Sequence, residues 1–243
     1  MRGEGEFGLI ARLAERLRGT ARSPSRTPVH VGLGDDAAVT APTGVTVTST
    51  EALVDGIHFR REWSAPPSIG RKALAAALSD LAAMGSEPGE AYVALGIPED
   101  FDEAACLELY DGIAAMAADT GTAVLGGDLT RAPVLMLAVT VVGHAASPEA
   151  VVGRDGASPG EAVAVTGELG GAAAGLLLLE RPELRRSLDA GVADALVRRQ
   201  LEPGPRIAAG SALASAGATA MIDVSDGLGA DAGQIAAASG VRV

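Results

Sequence analysis

The sequence predicts a mixed α/β fold divided into two domains. Segments rich in Val, Ile and Leu alternate with Ala-rich segments as far as about residue 146, an order typical of a sheet covered by helices. A stretch rich in turn-forming residues, SPEAVVGRDGASPGEAV, follows this alternation. These two observations predict an N-terminal domain over residues 1–146 and a C-terminal domain over residues 147–243.

The N-terminal domain is expected to contain three helices and a sheet. Apolar residues recur at helical spacing over residues 6–18, which predicts the first helix. A short strand leads into GLGDDAAV, and VTVTSTEALV is the next strand. PPSIGRKALAAALSDLAAMG and DEAACLELYDGIAAMAADTG are predicted helices that end at Gly85 and Gly121. YVALGIP, TAVLGGDLT and VLMLAVTVVGHA are strands, the last of them apolar on both faces and therefore buried.

The C-terminal domain is expected to continue the alternation. AVAVTGELGGAAAGLLLLE predicts a strand, a glycine turn and a helix, and a polar helical region follows over residues 185–200. AMIDVSDGL predicts a further strand, and a last helix leads into SGVRV. The whole pattern therefore predicts α/β structure on both sides of the boundary.

Composition narrows the range of functions. The chain has 243 residues, with 19 basic and 31 acidic side chains and a net charge of −12, which argues against a general nucleic-acid or anionic-membrane binder. An acidic protein can still bind polyphosphate when metal ions lie between the two negative partners. The single cysteine, Cys106, excludes an intramolecular disulfide and disfavours a thiolate metal site. Without a signal-like or membrane-spanning apolar run, the sequence predicts a soluble, cytoplasmic protein.

Five short motifs place oxygen ligands where a predicted strand or helix ends. Each motif alone is more typical of a turn or a helix cap. Together, however, carboxylates and hydroxyls with only three histidines suit Mg²⁺ or a similar hard cation better than zinc. The motifs are GLGDDAA with Asp35 and Asp36; STEALVDGIH with Ser49, Thr50, Glu51, Asp55 and His58; SDLAAMG with Asp80; GGDLTR with Asp128; and IDVSDGL with Asp223, Ser225 and Asp226.

Asp80 lies on a helix face that is otherwise apolar. An ionised carboxylate on such a face requires a partner. Lys72, the only lysine in the chain, lies two turns earlier on a similar face. One interpretation is a buried Lys72–Asp80 ion pair, and the other is Asp80 on a metal ion with Lys72 facing a phosphate. The spacing supports both equally.

The sequence signals for phosphate binding are weaker than those for metal binding. Neither GxxxxGK[ST] nor a GxGxxG after a strand occurs in the sequence. TGELGGAAAG could present backbone N–H groups to an anion, although a Gly/Ala helix packed tightly on a sheet is the commoner role of such a segment. Arg131 and Arg154 could neutralise phosphate or lie on the surface, and Tyr110 could belong to the core or stack on a base. Cys106 is expected to be a small buried hydrophobe.

Several motifs, in their order along the chain, resemble those of thiamine-monophosphate kinases, a family of the aminoimidazole-ribonucleotide synthetase superfamily of ATP-dependent enzymes. The resemblance covers essentially the whole chain. It is carried by GEFGLIARL, GLGDDAAV, STEALVDGIHF, KALAAALSDLAAMG, GGDLTR, RDGASPGEAVAVTGELGGAAAGLLLL and IDVSDGL. It implies transfer of the γ-phosphate of ATP to the phosphate of thiamine monophosphate, assisted by several Mg²⁺ ions.

The resemblance also implies an architecture and a set of roles. The N-terminal sheet is expected to pair with that of a second subunit in a homodimer, with a C-terminal α/β domain over the active-site cleft. No residue is expected to act as a catalytic acid or base, because the accepting phosphate is already ionised. By position, Mg²⁺ is expected at Asp36, Ser49, Thr50, Glu51, Asp80, Asp128, Asp223 and Asp226, ATP at Tyr110, Gly127, Asp128, Arg154 and Ser225, and the substrate at His58.

The sequence departs from the family pattern in two respects. The family has Asp where this chain has Glu51, and it continues past the position of Val243 with a portion that helps to hold the thiamine moiety. We therefore expect a chain shortened within its C-terminal domain. Two alternatives follow: a non-catalytic nucleotide-binding relative, which both departures favour, and a sibling enzyme of the superfamily, which the lone mid-helix Cys106 disfavours.

Overall fold

The computed structural model describes residues 5–18, 20, 28–34 and 37–243, with side chains from residue 8 onward. Within these residues no helix is both long and apolar enough to cross a membrane. The helices are α1 (Gly5–Leu17), α2 (Pro66–Ala83), α3 (Glu103–Thr120), α4 (Gly171–Glu180), α5 (Ala190–Leu201), α6 (Ile207–Ser215) and α7 (Leu228–Ser239). The strands are β1 (Val29–Val31), β2 (Val39–Thr40), β3 (Val45–Val54), β4 (Glu87–Ile97), β5 (Ala123–Arg131) and β6 (Met136–Ala145).

A four-stranded mixed sheet forms the centre of the N-terminal part, as the sequence predicts. Its strand order is β3-β6-β4-β5, with β4 and β5 parallel and the other neighbours antiparallel. The strands β1 and β2 form a separate antiparallel pair. Because Glu51 pairs with Val139, and Val139 and Gly127 both pair with Val93, these four residues form one row across the sheet.

One face of the sheet packs against α2, and α3 packs against α2 in turn. Val93, Leu137, Val139 and Val141 point to this side and are completely buried. The facing residues of α2 are small or aliphatic, since Ala and Leu recur where the helix meets β3, β6 and α3. The helix α1 joins this layer through Leu9, Leu13 and Leu17, which pack with the residues of α3 in the same core.

The opposite face of the sheet is open along β3. Thr46, Thr48, Thr50 and Ala52 all point away from the helices and are exposed to solvent. Side chains alternate between the two faces along a strand, so Ser49 and Glu51 lie on the helix side and Thr50 lies on the open side.

Two glycines allow α2 and α3 to approach at the level of the backbone. A Cβ at Gly112 would lie 1.9 Å from the carbonyl oxygen of Pro67, and a Cβ at Gly70 would lie 2.0 Å from that of Leu109. Both distances are far below van der Waals contact. The close approach of α2 and α3 therefore requires glycine at both positions.

The C-terminal part confirms the predicted helices, but the two strands predicted within it are wrong. Residues 162–166 and 220–224 are irregular, and Val163, Val165 and Val224 are exposed. A strand is stabilised by a ladder of hydrogen bonds to a neighbouring strand. Within the described residues neither segment has such a ladder, although the Met221 N–H donates to the Gly153 carbonyl at 2.9 Å.

The helix α6 fixes the C-terminal part against the end of α2. A Cβ at Gly210 would lie 2.0 Å from the carbonyl oxygen of Ala82, so these two helices also meet at the backbone. The segment that follows α6 carries Asp223, and it therefore runs past the end of α2 where Asp80 lies. The division of the chain near residue 146 stays a prediction.

Replacing Gly112 by Ala is expected to destabilise the protein by about 1–3 kcal/mol, because the methyl group must push α3 away from α2. Chemical unfolding in urea measures the change. The matched control is Gly233→Ala in α7, where the added Cβ meets nothing within 4 Å. The control should be neutral or stabilise the fold by up to about 1 kcal/mol. Equal unfolding midpoints for Gly112→Ala and the natural protein would contradict the close-packing account.

Candidate functional site

The strand β3 and the helix α2 bring the first two predicted site residues together. Ser49 lies on the helix side of β3, and Asp80 lies in the last turn of α2. The Ser49 hydroxyl donates a hydrogen bond of 2.5 Å to Oδ2 of Asp80. Glu51 is the next residue on the same side of β3 and is only partly exposed.

Asp223 joins this group from the segment between α6 and α7. The Ser79 hydroxyl donates to Oδ2 of Asp223 at 2.9 Å. Adjacent residues of α2, Ser79 and Asp80, thus hold the C-terminal segment and the strand β3 respectively. The sequence interpretation did not include Ser79, although its place directly before Asp80 was an available signal. We call Glu51, Asp80 and Asp223 the acidic cluster.

Two carboxylates of the acidic cluster, Glu51 and Asp223, have raised pKa values. Burial raises the pKa of Glu51, the charges of Asp80 and Asp223 raise it further, and the charge of His58 opposes them. Burial is also the largest cause of the raised pKa of Asp223; its hydrogen bond from Ser79 opposes the increase, whereas Asp80 adds to it. A cation placed among the three carboxylates would relieve this repulsion.

Asp231 shapes the loop that carries Ser225 and Asp226. The residue is 4% exposed, and its Oδ2 accepts the backbone N–H groups of Ser225, Asp226 and Gly227 at 3.0, 3.2 and 3.0 Å. The charge also lies in the first turn of α7, where a helix favours an anion. The sequence interpretation did not include Asp231, whose signal was an acidic residue in the first turn of an otherwise apolar helix.

Thr50 and Asp128 are not brought to the acidic cluster. The Thr50 hydroxyl lies on the open face of the sheet, 2.9 Å from that of Thr140. Asp128 pairs with Ala94 and so lies on the open face as well, in the row that begins at Ala52. Three strand spacings separate the ends of this row, which is about 14 Å. Within one chain, Asp128 and the acidic cluster cannot share one metal ion.

The other predicted ATP-binding and metal-binding residues fall in three different settings. Tyr110 is buried in the core on α3, which raises its pKa and leaves almost none of the ring exposed for stacking on a base. At Gly127 a Cβ would lie 2.1 Å from the Val93 carbonyl oxygen, so the strand pairing itself requires glycine there. Arg154 is exposed, and its charge lowers the pKa of Asp223 against the larger effect of burial. Asp36, like Asp35, lies outside the described residues.

Lys72 does not pair with Asp80, so the buried ion-pair interpretation is wrong. The Lys72 ammonium donates to the carbonyl oxygens of His58 at 3.1 Å and Gln200 at 3.2 Å. The eight-residue spacing places Lys72 and Asp80 about 12 Å apart along the helix axis, beyond the reach of an ion pair between them. Cys106 is buried, as predicted, and burial raises the pKa of its thiol to about 11.

His58 lies in the loop that joins β3 to α2. Its Nδ1 accepts the Val54 N–H at 3.0 Å, and Gly56 supplies the left-handed backbone conformation of the turn, with φ of 82°. Arg61 braces the same loop by donating to Asp55 at 2.7 Å and to both carboxylate oxygens of Asp100. Next to His58 is a pocket of about 150 Å³, lined by residues of this loop and of α2, α4 and α5.

A larger cleft of about 590 Å³ opens where β4 and β5 end. Leu9, Ile97 and Phe101 form its apolar wall, and Thr130 and Arg131 are among its polar residues. The strand β5 runs directly from Gly127 and Asp128 into this cleft. Its volume lies in the range of small-molecule sites.

The donor set fits a hard cation that is shared with a ligand. Within the described part of the chain, no three Asp, Glu, His or Cys side chains converge closely enough to hold one metal ion by themselves. Mg²⁺ commonly takes one or two protein carboxylates and completes its octahedral shell with water and phosphate oxygens. The acidic cluster suits this binding mode, because its oxygens repel one another but do not close around a common point.

The chain is similar in sequence to known proteins. Residues 34–145 match the family model of the AIR synthase related protein, N-terminal domain. The thiamine-monophosphate kinase of Mycobacterium tuberculosis is 43% identical over 242 residues, which cover 98% of this chain and 68% of that protein. This chain belongs to the thiamine-monophosphate kinase family. The resemblance inferred from the motifs is thereby confirmed.

Solved structures of the kinase family share the fold. The thiamine-monophosphate kinase of Stenotrophomonas maltophilia K279a superposes with a TM-score of 0.82 at 38% identity, covering 97% of this chain and 72% of that one. A structure described as AaThiL complexed with AMPPCP and TMP matches with a TM-score of 0.73 at 31% identity, over 99% of this chain and 72% of that one. The predicted mixed α/β fold is confirmed.

Glu51→Gln is expected to raise the Tm of this kinase-family chain at pH 7.5 without divalent cations. Because the pKa of Glu51 is raised in the folded protein, its carboxylate destabilises the fold as the pH rises through that pKa. The advantage of the glutamine should therefore vanish as the pH falls toward 4.5, the ordinary pKa of a glutamate. Because Glu51 is partly exposed, we expect the change in the free energy of unfolding to stay below about 1 kcal/mol, which corresponds to a rise in Tm of at most about 4 °C.

Thermal unfolding between pH 4 and 8 measures this difference. Glu108→Gln, at an exposed position of α3, is the control and should leave Tm unchanged. A Tm of Glu51→Gln equal to that of the natural protein across the whole range would mean that the acidic cluster does not act as one electrostatic unit.

Proposed function

We propose that this protein transfers the γ-phosphate of ATP to thiamine monophosphate (TMP) and so forms thiamine diphosphate. The observation that carries the proposal is the acidic cluster, in which Ser49 and Ser79 hold the carboxylates of Asp80 and Asp223 within electrostatic reach of Glu51. Relatives with this activity in their names match 98% of the chain.

In this proposal the chain binds and orients two anions. Glu51, Asp80 and Asp223 would hold Mg²⁺ ions together with water and phosphate oxygens, with Asp226 and Asp36 as further candidates. When bound, Mg²⁺ supplies positive charge that offsets the charge of the phosphate oxygens. The bond from the γ-phosphorus to its bridging oxygen breaks, a bond from that phosphorus to a phosphate oxygen of TMP forms, and ADP leaves. The accepting oxygen is already ionised, so no side chain needs to remove a proton.

The nucleotide is proposed to lie along the end of β5. Gly127 and Asp128 lead into the larger cleft, whose apolar wall suits a base and whose Arg131 suits a phosphate. Arg154 and the Ser225 loop lie beside Asp223 at the other side of the acidic cluster. Tyr110 would then support the site from the core instead of stacking on the base.

His58 is proposed to contact TMP. Its exposed ring stands at the end of the strand that carries Ser49 and Glu51, and its charge lowers the pKa of Glu51, against the effect of burial. The substrate phosphate can therefore approach the acidic cluster while the rest of the molecule extends past His58.

We also propose a homodimer in which a second copy covers the open face of the sheet. Thr46, Thr48, Thr50 and Ala52 leave this face exposed and free of charge along β3. Thr50 and Asp128 both lie on this face. Pairing of two such faces would place Thr50 and Asp128 at the interface, next to residues of the second copy.

Formation of thiamine diphosphate from ATP, Mg²⁺ and TMP tests the proposed activity. Asp80→Asn should reduce kcat about 100-fold or more, because it removes a charged group from an electrostatic site. Glu108→Gln is the control with the same change of charge at a remote surface and should keep full activity. Product analysis by chromatography distinguishes the transfer from simple ATP hydrolysis. Binding of Mg-ATP without any product would instead support the non-catalytic alternative.

Thr48→Arg is expected to convert the dimer to a monomer, because a buried guanidinium without a partner is costly at an interface. Sedimentation equilibrium measures the mass. Ala118→Arg, on the exposed surface of α3, introduces the same side chain away from the sheet and should leave the mass unchanged. If Thr48→Arg remains dimeric, the open face is not the interface.

A further inference from the structure

The ammonium group of Lys72 joins three separate parts of the chain. Lys72 belongs to α2, and its Nζ donates to the carbonyl oxygen of His58 at 3.1 Å and to that of Gln200 at 3.2 Å. His58 lies in the loop between β3 and α2, and Gln200 lies in the last turn of α5. One side chain therefore connects the His58 loop (residues 55–64) to the C-terminal helices.

The chemistry of both acceptors suits a lysine. The last four carbonyl groups of a helix have no partner within the helix, and they form the negative end of its dipole. The Gln200 carbonyl is one of these four in α5, so Lys72 acts as a charged cap from outside the helix. The His58 carbonyl belongs to a turn and likewise needs a donor.

In the part of the chain that the structure describes, no carboxylate competes for the Lys72 ammonium. Within the described residues no Asp or Glu lies within ion-pair distance of Lys72, although the side chain is partly buried and burial lowers its pKa. Its two carbonyl partners use two of its three N–H donors. Lys72 also lines the small pocket beside His58, together with Trp63 and Leu201.

Other contacts also hold the His58 loop, and they differ from the Lys72 contact in the part of the chain to which they connect the loop. The His58 ring accepts from Val54, and Arg61 connects Asp55 to Asp100. Those contacts orient the loop within the N-terminal part. The contact through Lys72 sets the position of the loop relative to α5.

We propose that Lys72 is a positioning residue for TMP: it fixes the His58 loop against α5 and so sets where His58 meets the substrate. The substrate part of this inference rests on the proposed kinase function, whereas the tie between the loop and the helix does not. Lys72 acts through His58, so its removal should weaken binding of TMP and not that of ATP.

The chain carries its own probe for this tie. Trp63 is the only tryptophan, and it lies in the His58 loop and lines the same pocket as Lys72. Lys72→Met keeps the aliphatic stem and removes the ammonium. We expect acrylamide to quench Trp63 fluorescence more strongly in this variant, because the loop is released from α5.

The kinetic expectation is a selective one. Lys72→Met should raise the KM for TMP about tenfold, the size of a lost hydrogen bond to a charged group, and leave the KM for ATP unchanged within about twofold. Lys72→Arg restores the charge and the donors and should recover part of the lost affinity. Arg71→Met is the matched control: Arg71 is the neighbouring cation on α2, but it pairs with Asp119 of α3 at 2.8 Å. It should change neither the quenching nor either KM.

The outcomes separate this inference from the proposed function. If the natural protein shows no turnover, the proposed function fails and the Trp63 quenching still decides whether Lys72 holds the loop. Unchanged quenching in Lys72→Met, or an unchanged KM for TMP in an active protein, overturns the proposal. Should Lys72→Met fail to fold, Lys72→Gln, which removes the charge and shortens the side chain, takes its place with the same criteria.

Discussion

The close approach of α2 to its neighbours is the constraint on which the rest of the structure depends. The helix meets the sheet, α3 and α6 through Ala, Gly and Leu, and at three glycines the contacts involve the backbone itself. Such contacts leave α2 little freedom to slide or rotate. Asp80 in its last turn, and Lys72 two turns earlier, are therefore held at fixed heights relative to β3 and the C-terminal helices.

The acidic cluster destabilises the fold locally. Glu51 and Asp223 have raised pKa values because burial and neighbouring carboxylates disfavour their charge. The two serine hydroxyls offset part of this cost, and neither bond removes the net negative charge. Natural proteins carry such unfavourable arrangements mainly at functional sites, where a ligand supplies what the protein lacks.

Local patterns allowed much of this structure to be predicted, and long-range pairing accounts for most of what was missed. The helices α1 to α3 and the strands β3 to β6 follow from periodicity and from Gly85 and Gly121, because those signals act within a few residues. The position of Asp128, by contrast, depends on the strand order, which no local pattern contains. Alternation along β3 does separate Thr50 from Ser49 and Glu51, but only pairing shows which face the helices cover. The strands predicted at 162–166 and 220–224 have suitable residues, yet they lack a paired neighbour.

The carboxylate of Asp231 has a consequence for the thermodynamics of binding. Three consecutive N–H groups donate to one buried oxygen, so the loop of Ser225 and Asp226 is ordered before any ligand arrives. The conformational entropy of that segment is lost when the protein folds and does not have to be lost again when a nucleotide binds. Asp231 thus raises affinity by preorganisation, and this contribution would appear in the entropy of binding.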